Sequence, residues 1–313
     1  MITLDVVVPT HNRAELLEKA VNSLLAARTP AGLSRRIIIV DNNSTDTTAE
    51  TISRMSAGNP GAVSGIHERQ QGRSAALNAG IRASSAELIG FIDDDETVSE
   101  GWLEAVAAEF SRSEVDFIGG PVQGNWEVAA PAWLPAGLSG VLGIIEHGED
   151  ARDYGRDFPG ILVGGNCVFR RSVFEKVGLY NTNLGRTTSG LRSGEDDDLY
   201  ARLLRAGLRG RYVPSLRIQH FIPRYRVTKR YFRSWRFWHA VSRGIRLRTS
   251  REPTPYLAGI PRYDLGKALR STGGMARGSS RERFASELEL WSLAGLLYGR
   301  FVARLKKDDP RPA

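Results

Sequence analysis

The chain has 313 residues, of which 41% are hydrophobic and 25% are charged, and its net charge is +8. This composition is typical of globular proteins and excludes collagen, coiled-coil and wholly disordered chains. The single cysteine excludes an intramolecular disulfide and a zinc site built from several cysteines. No apolar stretch approaches the roughly 20 residues that a membrane-spanning helix needs.

Charge is distributed unevenly along the chain. Residues 1–200 contain 17 Lys and Arg against 28 Asp and Glu, a net charge of −11, whereas residues 201–313 contain 26 against 7, a net charge of +19. A uniformly basic nucleic-acid-binding protein would not have this asymmetry, and no known nucleic-acid-binding module matches the sequence. We therefore expect two surfaces with different partners and no nucleic acid among them.

Strand-like and helix-like patterns alternate over the first 120 residues. Apolar runs of strand length lie at 4–8, 37–40, 62–68 and 88–92, and helical patterns lie between them at 13–27, 45–55 and 74–83. This order predicts the α/β class, with a single, mostly parallel sheet sandwiched by helices. Ligands of such sheets bind at the carboxyl ends of the strands. The sequence places Thr10, Asn12, Asp41 and the acidic run at 93–95 at these ends.

The pattern changes after residue 119. A segment at 124–160 is rich in Gly, Pro and Trp and is predicted to be a long insertion, followed by a strand at 161–169, a helix at 195–206 and a strand at 211–220. Beyond residue 225 the chain is basic and aromatic, with a helical pattern at 287–305. We predict two parts, an α/β domain over 1–225 and a basic, mainly helical extension over 226–313.

Four acidic residues, Asp93, Asp94, Asp95 and Glu96, follow the predicted strand at 88–92. Asp93 and Asp95 share a face of an extended backbone. Carboxylates with open positions beside them suit Mg²⁺ or Mn²⁺ bound together with a diphosphate. A solvated acidic turn, or a helix N-terminus favoured by its dipole, explains the same run without any ligand. Both interpretations remain open on this pattern alone.

A second acidic run, at 195–198, begins the predicted helix at 195–206. A carboxylate at this position could act as a general base, although helix capping and the helix dipole account for such a run by themselves. Arg73 stands in a predicted turn, from which it could reach a phosphate or a base, or be an ordinary surface charge.

Two further places could contact a ligand. Gly164, Gly165 and Asn166 permit close approach to the backbone, or form a tight turn. His220 follows an apolar strand and could be a ligand or a packed core residue. The sequence contains no G-x-G-x-x-G, G-x-x-x-x-G-K-[ST], G-x-S-x-G or H-E-x-x-H motif. Their absence weighs against dinucleotide enzymes, P-loop NTPases, α/β-hydrolases and zincins.

Taken together, five segments resemble glycosyltransferase family 2, whose members have the GT-A fold. In chain order they are 6–13 (VVVPTHNR), 40–46 (VDNNSTD), 72–80 (GRSAALNAG), 93–95 (DDD), which is similar to the family's DxD motif, and 194–196 (GED), which is similar to its ED motif. Each segment is short, and their order and spacing make the resemblance specific. It covers residues 2–225 and implies a GT-A fold with a Rossmann-like sheet and a C-terminal helical extension.

The resemblance implies a nucleotide-binding role for five residues. Pro9, Thr10, Asn12 and Asp41 would line the nucleoside pocket, with Asp41 on the base. Arg73 would hold the base or the diphosphate. His11 stands where the family often has an aromatic residue, so stacking on the base is expected to differ here.

The acidic run at 93–95 would serve the donor and the metal ion. By resemblance, Asp93 and Asp94 would bind the donor, with Asp93 near its ribose, and Asp95 would bind Mn²⁺ or Mg²⁺. Asp93 is a second candidate metal ligand. In some GT-A enzymes a later histidine completes the metal shell, and His220 falls at that place in the sequence.

The remaining implied roles concern the sugar. Gly164, Gly165 and Asn166 would face the donor sugar. Asp196 would be the catalytic base, with Glu195 beside it. Since one direct displacement inverts the anomeric centre, the resemblance implies an inverting transfer.

These roles predict a metal-dependent, non-processive sugar transfer from a nucleotide diphosphate sugar, with UDP as the expected carrier. The acceptor would be a hydroxyl of a glycan, a lipid-linked sugar or a small molecule. No Q-x-x-R-W motif, which is typical of processive synthases, follows the ED motif.

Two alternatives stay open. One is a sugar nucleotidyltransferase, although 9–13 lacks a glycine-rich loop. The other is a catalytically silent nucleotide-binding protein that recruits partners through its basic tail.

The basic tail admits several interpretations. Arginines alternate with aromatic residues over 224–238, and they could lie on an anionic membrane, where each basic residue adds about 1 kcal/mol. They could instead belong to a helical subdomain with buried aromatics, or bind the donor diphosphate.

Residues 1–5 are typical of a strand and not of a secretion signal, so we expect a cytoplasmic protein, peripheral on the inner membrane face at most. Trp126 and Trp133 are candidates for stacking on an acceptor sugar.

Overall fold

A computed structural model of the chain describes residues 1–112, 114–134, 137–185, 194–248 and 254–303. The chain divides into two compact units: the first comprises Met1–Asn125, Gly143–Thr188 and Glu195–Ile222, and the second comprises Trp126–Leu142, Ser189–Gly194 and Pro223–Ala313. By this division the last segment of the first unit ends at residue 222, and part of the predicted insertion belongs to the second unit. Residues 249–253 and 304–313 of the predicted extension lie outside the described residues.

The first unit alternates strands and helices as predicted. Its elements are β1 (Ile2–Thr10), α1 (Ala14–Ala26), β2 (Leu33–Asp41), α2 (Thr48–Gly58), β3 (Val63–His67), α3 (Arg73–Ala83), β4 (Leu88–Phe91), β5 (Glu96–Val98), α4 (Trp102–Arg112), β6 (Phe117–Gly119), β7 (Val122–Trp126), β8 (Arg152–Tyr154), β9 (Cys167–Arg170), α5 (Ser172–Val177), α6 (Glu195–Arg205), β10 (Gly210–Tyr212) and β11 (Ile218–Ile222).

The main sheet of the first unit has the strand order β3-β2-β1-β4-β9-β6-β10-β8. Strands β3, β2, β1 and β4 are parallel, whereas β9 runs antiparallel to both β4 and β6. The predicted α/β class, with a large sheet between helices, is confirmed. Beside this large sheet the first unit has a smaller one that the sequence did not predict: the chain turns after β4 and begins β5, which joins β11 and β7 in a separate three-stranded sheet.

The parallel strands are apolar on both faces because each face is covered by helices. Val6 and Val8 of β1 pack in a cluster with residues of α1 and α4. Val7, which points to the opposite face, packs in a second cluster with residues of α3 and α6. Because β1 pairs in parallel with β2 and with β4, the residues after these three strands emerge at the same edge of the sheet.

The second unit is mainly helical. It contains α7 (Lys229–Arg246), β12 (Tyr256–Leu257), β13 (Ile260–Pro261), α8 (Arg262–Arg277) and α9 (Ser280–Leu297), with short helical turns at Ser139–Leu142, Arg224–Arg226 and Tyr298–Val302. In the part of the chain that the structure describes, no helix is both long and apolar enough to cross a membrane.

Aromatic side chains form part of the interior of the second unit. Phe232 is fully buried, and Trp133 packs edge-on against Phe232 and Phe284 with ring centroids 5.4 and 5.2 Å apart. Arg233 forms an ion pair with Glu287 at 2.5 Å. These contacts favour the helical-subdomain interpretation of the tail. They also engage Trp133, a predicted acceptor-stacking residue, in packing with two aromatic neighbours.

Candidate active site

The loops after β1 and β2 are tied together by Asn12. Its φ of 54° lies in the left-handed region, which asparagine tolerates. Its Oδ1 accepts a hydrogen bond from the Thr45 N–H at 2.7 Å, and its own N–H donates to Ser44 Oγ at 3.0 Å. The Ser44 N–H in turn donates to Asp41 Oδ1 at 2.9 Å. Asn12 and Asp41, both predicted from the sequence, are thus parts of one loop arrangement, beside which Pro9 is buried within β1.

Asn42, which the sequence analysis did not single out, holds the segment that leads into α3. Its side-chain nitrogen donates to the carbonyl oxygens of Glu68 and Gln70 at 2.9 and 2.7 Å, and its Oδ1 accepts from the Gly72 N–H at 2.7 Å. The sequence signal for this role was Asn42 itself, which belongs to the segment at 40–46 that resembles the family. These bonds set the start of α3, and hence the position of Arg73.

Arg73 joins the acidic run after β4 to the start of α6. Its guanidinium donates to Asp93 Oδ1 at 2.8 and 3.1 Å, and lies 3.5 Å from Glu195 Oε1 and 3.4 Å from Asp196 Oδ1. Only 14% of the side chain is exposed. Burial by itself lowers the pKa of this guanidinium, but the three neighbouring carboxylates raise it well above its usual value. Arg73 is therefore always charged.

Asp196, the predicted base, lies in the first turn of α6. Its Oδ2 accepts a hydrogen bond from the Gly164 N–H at 3.2 Å. Burial raises the pKa of its carboxyl to about 7, against the opposing effect of the Arg73 charge and with a further increase from Glu195. Since 26% of the side chain is exposed, a hydroxyl group can reach a carboxylate that titrates near neutrality.

Asp94 and Asp95 are held by residues at the end of β1 and the start of α1. Thr10 Oγ1 donates to Asp94 Oδ2 at 2.8 Å, and Arg13 Nη1 donates to Asp94 Oδ1 at 2.7 Å and to Asp95 Oδ2 at 2.8 Å. Burial raises the pKa of Asp94 to about 6, against the lowering effect of Arg13. The sequence predicts no role for Arg13, because nothing in the local pattern indicates a contact across 82 positions.

Asp95 and His220 form the pair that could hold a cation. Antiparallel pairing of β5 with β11 brings His220 beside the acidic run, with its Nε2 3.5 Å from Asp95 Oδ2. Two donors that bind one Mg²⁺ at about 2.1 Å each lie about 3 to 3.5 Å apart, so the pair fits such an ion with a small adjustment. Asp93, the third predicted ligand, accepts a hydrogen bond from Arg73 through its Oδ1, as Asp95 Oδ2 does from Arg13. Among the described residues, no group of three or more His, Cys, Asp or Glu has metal-binding geometry.

Asn166, which was predicted to face the donor sugar, lies in the protein interior. It is fully buried. Its Oδ1 accepts from the Trp102 indole N–H at 3.0 Å, and its side-chain nitrogen donates to the carbonyl oxygens of Pro121 and Leu216 at 3.0 and 2.7 Å. All its hydrogen-bonding groups are engaged in joining three segments of the interior.

The role of Gly164 and Gly165 in facing the donor sugar stays a prediction, and the structure shows what lies on the side of each glycine where a Cβ atom would stand. The positions that a Cβ atom would take on these glycines are filled by the carboxylates of Asp196 and Glu96. The space beside them therefore belongs to two acidic side chains of the protein itself.

Comparison with known proteins agrees with this geometry. The sequence model "Glycosyl transferase family 2" matches residues 5–178. The succinoglycan biosynthesis protein ExoM of Rhizobium meliloti is 26% identical over 238 residues, which is 74% of this chain and 72% of ExoM. Glycosyltransferase AglE of Haloferax volcanii is 32% identical over 120 residues, 38% of this chain, and the match spans only 39% of AglE.

A solved structure extends the comparison to the fold. The mannosyltransferase PcManGT from Pyrobaculum calidifontis, in complex with GDP-Man and Mn²⁺, superposes with a TM-score of 0.63 and 18% sequence identity, over 95% of this chain and 87% of PcManGT. At this level of identity the likeness concerns the fold, which is that of GT-A glycosyltransferases.

Proposed function

The chain belongs to glycosyltransferase family 2, and from this premise we propose that it transfers one sugar at a time, with inversion, from a nucleotide diphosphate sugar to an acceptor hydroxyl. One observation carries the proposal. The buried Arg73 guanidinium contacts Asp93, from the acidic run after β4, and Asp196, at the start of α6. Asp93, which is suited to the donor, and Asp196, which is suited to the acceptor, are therefore both held by the charge of Arg73.

The donor would bind at the edge of the sheet where β1, β2 and β4 end. Thr10, Asn12 and Asp41 belong to interconnected loops at this edge, and we propose that these loops hold the nucleoside, with Asp41 on the base. UDP is the carrier that we expect. The complex of PcManGT with GDP-Man supports GDP as the first alternative.

Mn²⁺ or Mg²⁺ would be held by Asp95 and His220, with oxygens of the diphosphate or water completing its shell. When bound, the ion stabilises the negative charge that develops on the departing diphosphate. The donor chemistry of the pair, one carboxylate oxygen and one imidazole nitrogen 3.5 Å apart, supports Mn²⁺ more than Mg²⁺, because Mg²⁺ prefers oxygen ligands.

Asp196 would take the proton of the acceptor hydroxyl as its oxygen attacks the anomeric carbon. The bond to the acceptor oxygen forms on one face of the sugar while the bond to the phosphate oxygen breaks on the other, which inverts the centre. The electron pair of the broken bond leaves with the diphosphate, and the proton remains on Asp196. A pKa of about 7 suits a general base that works near neutral pH.

The acceptor would be a hydroxyl of a glycan, a lipid-linked sugar or a small molecule. The name of ExoM, a succinoglycan biosynthesis protein, supports a glycan. The basic composition of the second unit supports contact with an anionic surface such as the cytoplasmic face of a membrane, although Arg233, Arg236 and Arg243 already have carboxylate partners.

Calorimetric titration with UDP, GDP and dTDP, each with Mn²⁺ and with EDTA, tests the proposed donor and metal sites. We expect one nucleotide to bind tightly with Mn²⁺ and to lose its binding with EDTA. If none of the three shows metal-dependent binding, the proposal fails. The corresponding nucleotide sugars then provide the activity assay, in which release of a nucleoside diphosphate is the expected signature of sugar transfer or hydrolysis.

A further inference from the structure

Gly164 and Gly165, which precede β9, lie against two carboxylates from different elements. A Cβ atom built on Gly164 would lie 2.7 Å from Asp196 Cγ and 2.8 Å from its Oδ2. A Cβ atom built on Gly165 would lie 2.8 Å from Glu96 Cδ and 2.6 Å from its Oε2. Real Cβ atoms essentially never approach other atoms closer than 3.0 Å. An alanine at either position would therefore displace an acidic side chain.

The glycines are required for space and not for backbone conformation. Neither Gly164 nor Gly165 has a φ between +20° and +160°, so an L-amino acid could adopt the same backbone there. By contrast, Gly72 before Arg73 has a φ of 134°. At Gly164 the missing side chain also lets the backbone N–H donate to Asp196 Oδ2 at 3.2 Å.

Glu96 connects Gly165 to the acidic run. The Glu96 carboxylate accepts a hydrogen bond from the Asp93 N–H at 2.8 Å, and the Glu96 N–H donates to the Asp93 carbonyl oxygen at 3.1 Å. These two bonds close the turn that carries Asp94 and Asp95. Only 4% of Glu96 is exposed, and in the β5–β11 pair it lies opposite His220.

We propose that Gly164 and Gly165 form a glycine ledge, a positioning element on which the carboxylates of Asp196 and Glu96 rest side by side. One short backbone segment then sets the place of the base relative to the turn that presents Asp95. The roles of Asp196 and Asp95 in this inference rest on the proposed function. Gly164, Gly165 and Glu96 act through these residues and are positioning residues.

The glycine ledge predicts different kinetic effects for its two halves. Gly164→Ala displaces Asp196, so kcat should fall about tenfold while Mn²⁺-dependent nucleotide binding stays within about threefold of wild type. Gly165→Ala displaces Glu96 and opens the turn at 93–96, so Mn²⁺-dependent binding of the same nucleotide should weaken about tenfold. A general loss of structure would not separate the two effects in this way.

Gly155→Ala is the matched control. Gly155 belongs to the same unit, no atom lies within 4 Å of a Cβ built on it, and its φ lies outside the left-handed region. We expect this variant to retain wild-type binding, kcat and melting temperature. The probes are UDP, GDP and dTDP with Mn²⁺, and the variants are compared with whichever nucleotide binds the wild-type chain.

A double substitution tests the ledge without any activity assay. Overpacking at Gly165 should lower the melting temperature by about 3 to 10 °C. Glu96→Ala removes the side chain that a Cβ atom at position 165 would meet, so adding Gly165→Ala to that variant should leave its melting temperature almost unchanged. Likewise, adding Gly164→Ala to the Asp196→Ala variant should leave its melting temperature almost unchanged. Both double variants remain informative even where a single glycine variant fails to fold.

The outcomes are distinguishable from failure of the proposed function. If no nucleotide binds the wild-type chain, the proposed function fails. If the effects of the paired substitutions on melting temperature are nevertheless non-additive, the contacts of the glycine ledge are supported independently of that function. If the effects of Glu96→Ala and Gly165→Ala on melting temperature simply add, the ledge is refuted. It is also refuted if Gly165→Ala behaves like Gly155→Ala, or if both glycine variants change kcat and nucleotide binding alike.

Discussion

Replacing Arg73 by methionine should shift the pH dependence of the reaction. The Arg73 guanidinium lies 3.4 Å from Asp196 Oδ1, and its positive charge lowers the pKa of a carboxyl that burial raises to about 7. Methionine fills similar space without the charge. The pKa of Asp196 should therefore rise, and a larger fraction of the base should be protonated, and inactive, at neutral pH.

The size of the shift follows from the geometry. Two unit charges 3.4 Å apart interact with about 5 kcal/mol at an effective dielectric constant of about 20. That figure is an upper value for a buried pair, whereas an opposite charge at short range lowers a carboxyl pKa in proteins by about 1 to 3 units; because 26% of the Asp196 side chain is exposed, we take the lower end, about 1.4 kcal/mol. At 1.36 kcal/mol per unit, the pKa should rise by about one unit, from about 7 to about 8.

The assay is kcat at saturating nucleotide sugar from about pH 5.5 to about pH 9.5. Below the pKa the rate of both proteins should rise about tenfold per pH unit, so the methionine variant should be about tenfold slower at pH 6.5 and recover above about pH 9. Arg73→Lys, which keeps a positive charge, is the matched variant and should shift the profile less. A methionine variant that is folded and active, but whose profile coincides with that of wild type, would refute the electrostatic role of Arg73.

Three further predictions test other parts of the site and the fold. Asp196→Asn should lower kcat by about 10²- to 10⁴-fold and leave nucleotide binding nearly unchanged in calorimetry. Asp198→Asn, which removes a carboxylate paired with Arg202 on the same helix, should retain activity. His220→Ala should raise the Mn²⁺ concentration for half-maximal nucleotide binding about tenfold or more; an unchanged Mn²⁺ titration would remove His220 from the metal site. Asp5 is buried and paired with Arg36 at 2.8 Å, and this hydrogen-bonded pairing outweighs burial and lowers the pKa of Asp5. Asp5→Asn should therefore lower the free energy of unfolding by about 2 kcal/mol at pH 7, and the difference should shrink as the pH falls below about 4, as chemical denaturation can measure.

The strand ends could be predicted from the sequence because they depend on local pattern and on one rule of topology. Val6 to Val8 and the apolar run at 37–40 indicate buried parallel strands, and the carboxyl ends of such strands meet at one edge. Thr10, Asp41 and the acidic run therefore had to lie near one another. The arrangement of loops after β1, β2 and β4 follows from this rule alone.

The partners of individual side chains could not be predicted in this way. Arg13 reaches Asp95 across 82 positions, and His220 reaches the same residue only because β11 pairs with β5 in a second sheet. Periodicity predicts which elements form, but not which of two sheets a three-residue strand will join. Asn166 illustrates the same difficulty, because a small polar segment before a strand can face a ligand or, as here, satisfy buried backbone carbonyls.

The charges at the site give a physical reason for a cation. Among the residues that the structure describes, six acidic side chains gather there with two arginines: Asp93, Asp94, Asp95, Glu96, Glu195 and Asp196 with Arg13 and Arg73. Burial raises the pKa of Asp94 to about 6 and that of Asp196 to about 7, and burial raises the pKa of Glu96 as well.

Protonation of buried acids relieves only part of this repulsion, because at pH 7 Asp94 is largely ionised and Asp196 is ionised in about half of the molecules. A diphosphate brings further negative charge to the same place, so its binding without a cation would be opposed at short range in a partly buried setting. A divalent ion held by Asp95 would remove that opposition. Under the proposed function, the same electrostatics would make Asp196 a base near neutral pH and would make nucleotide affinity depend on the metal.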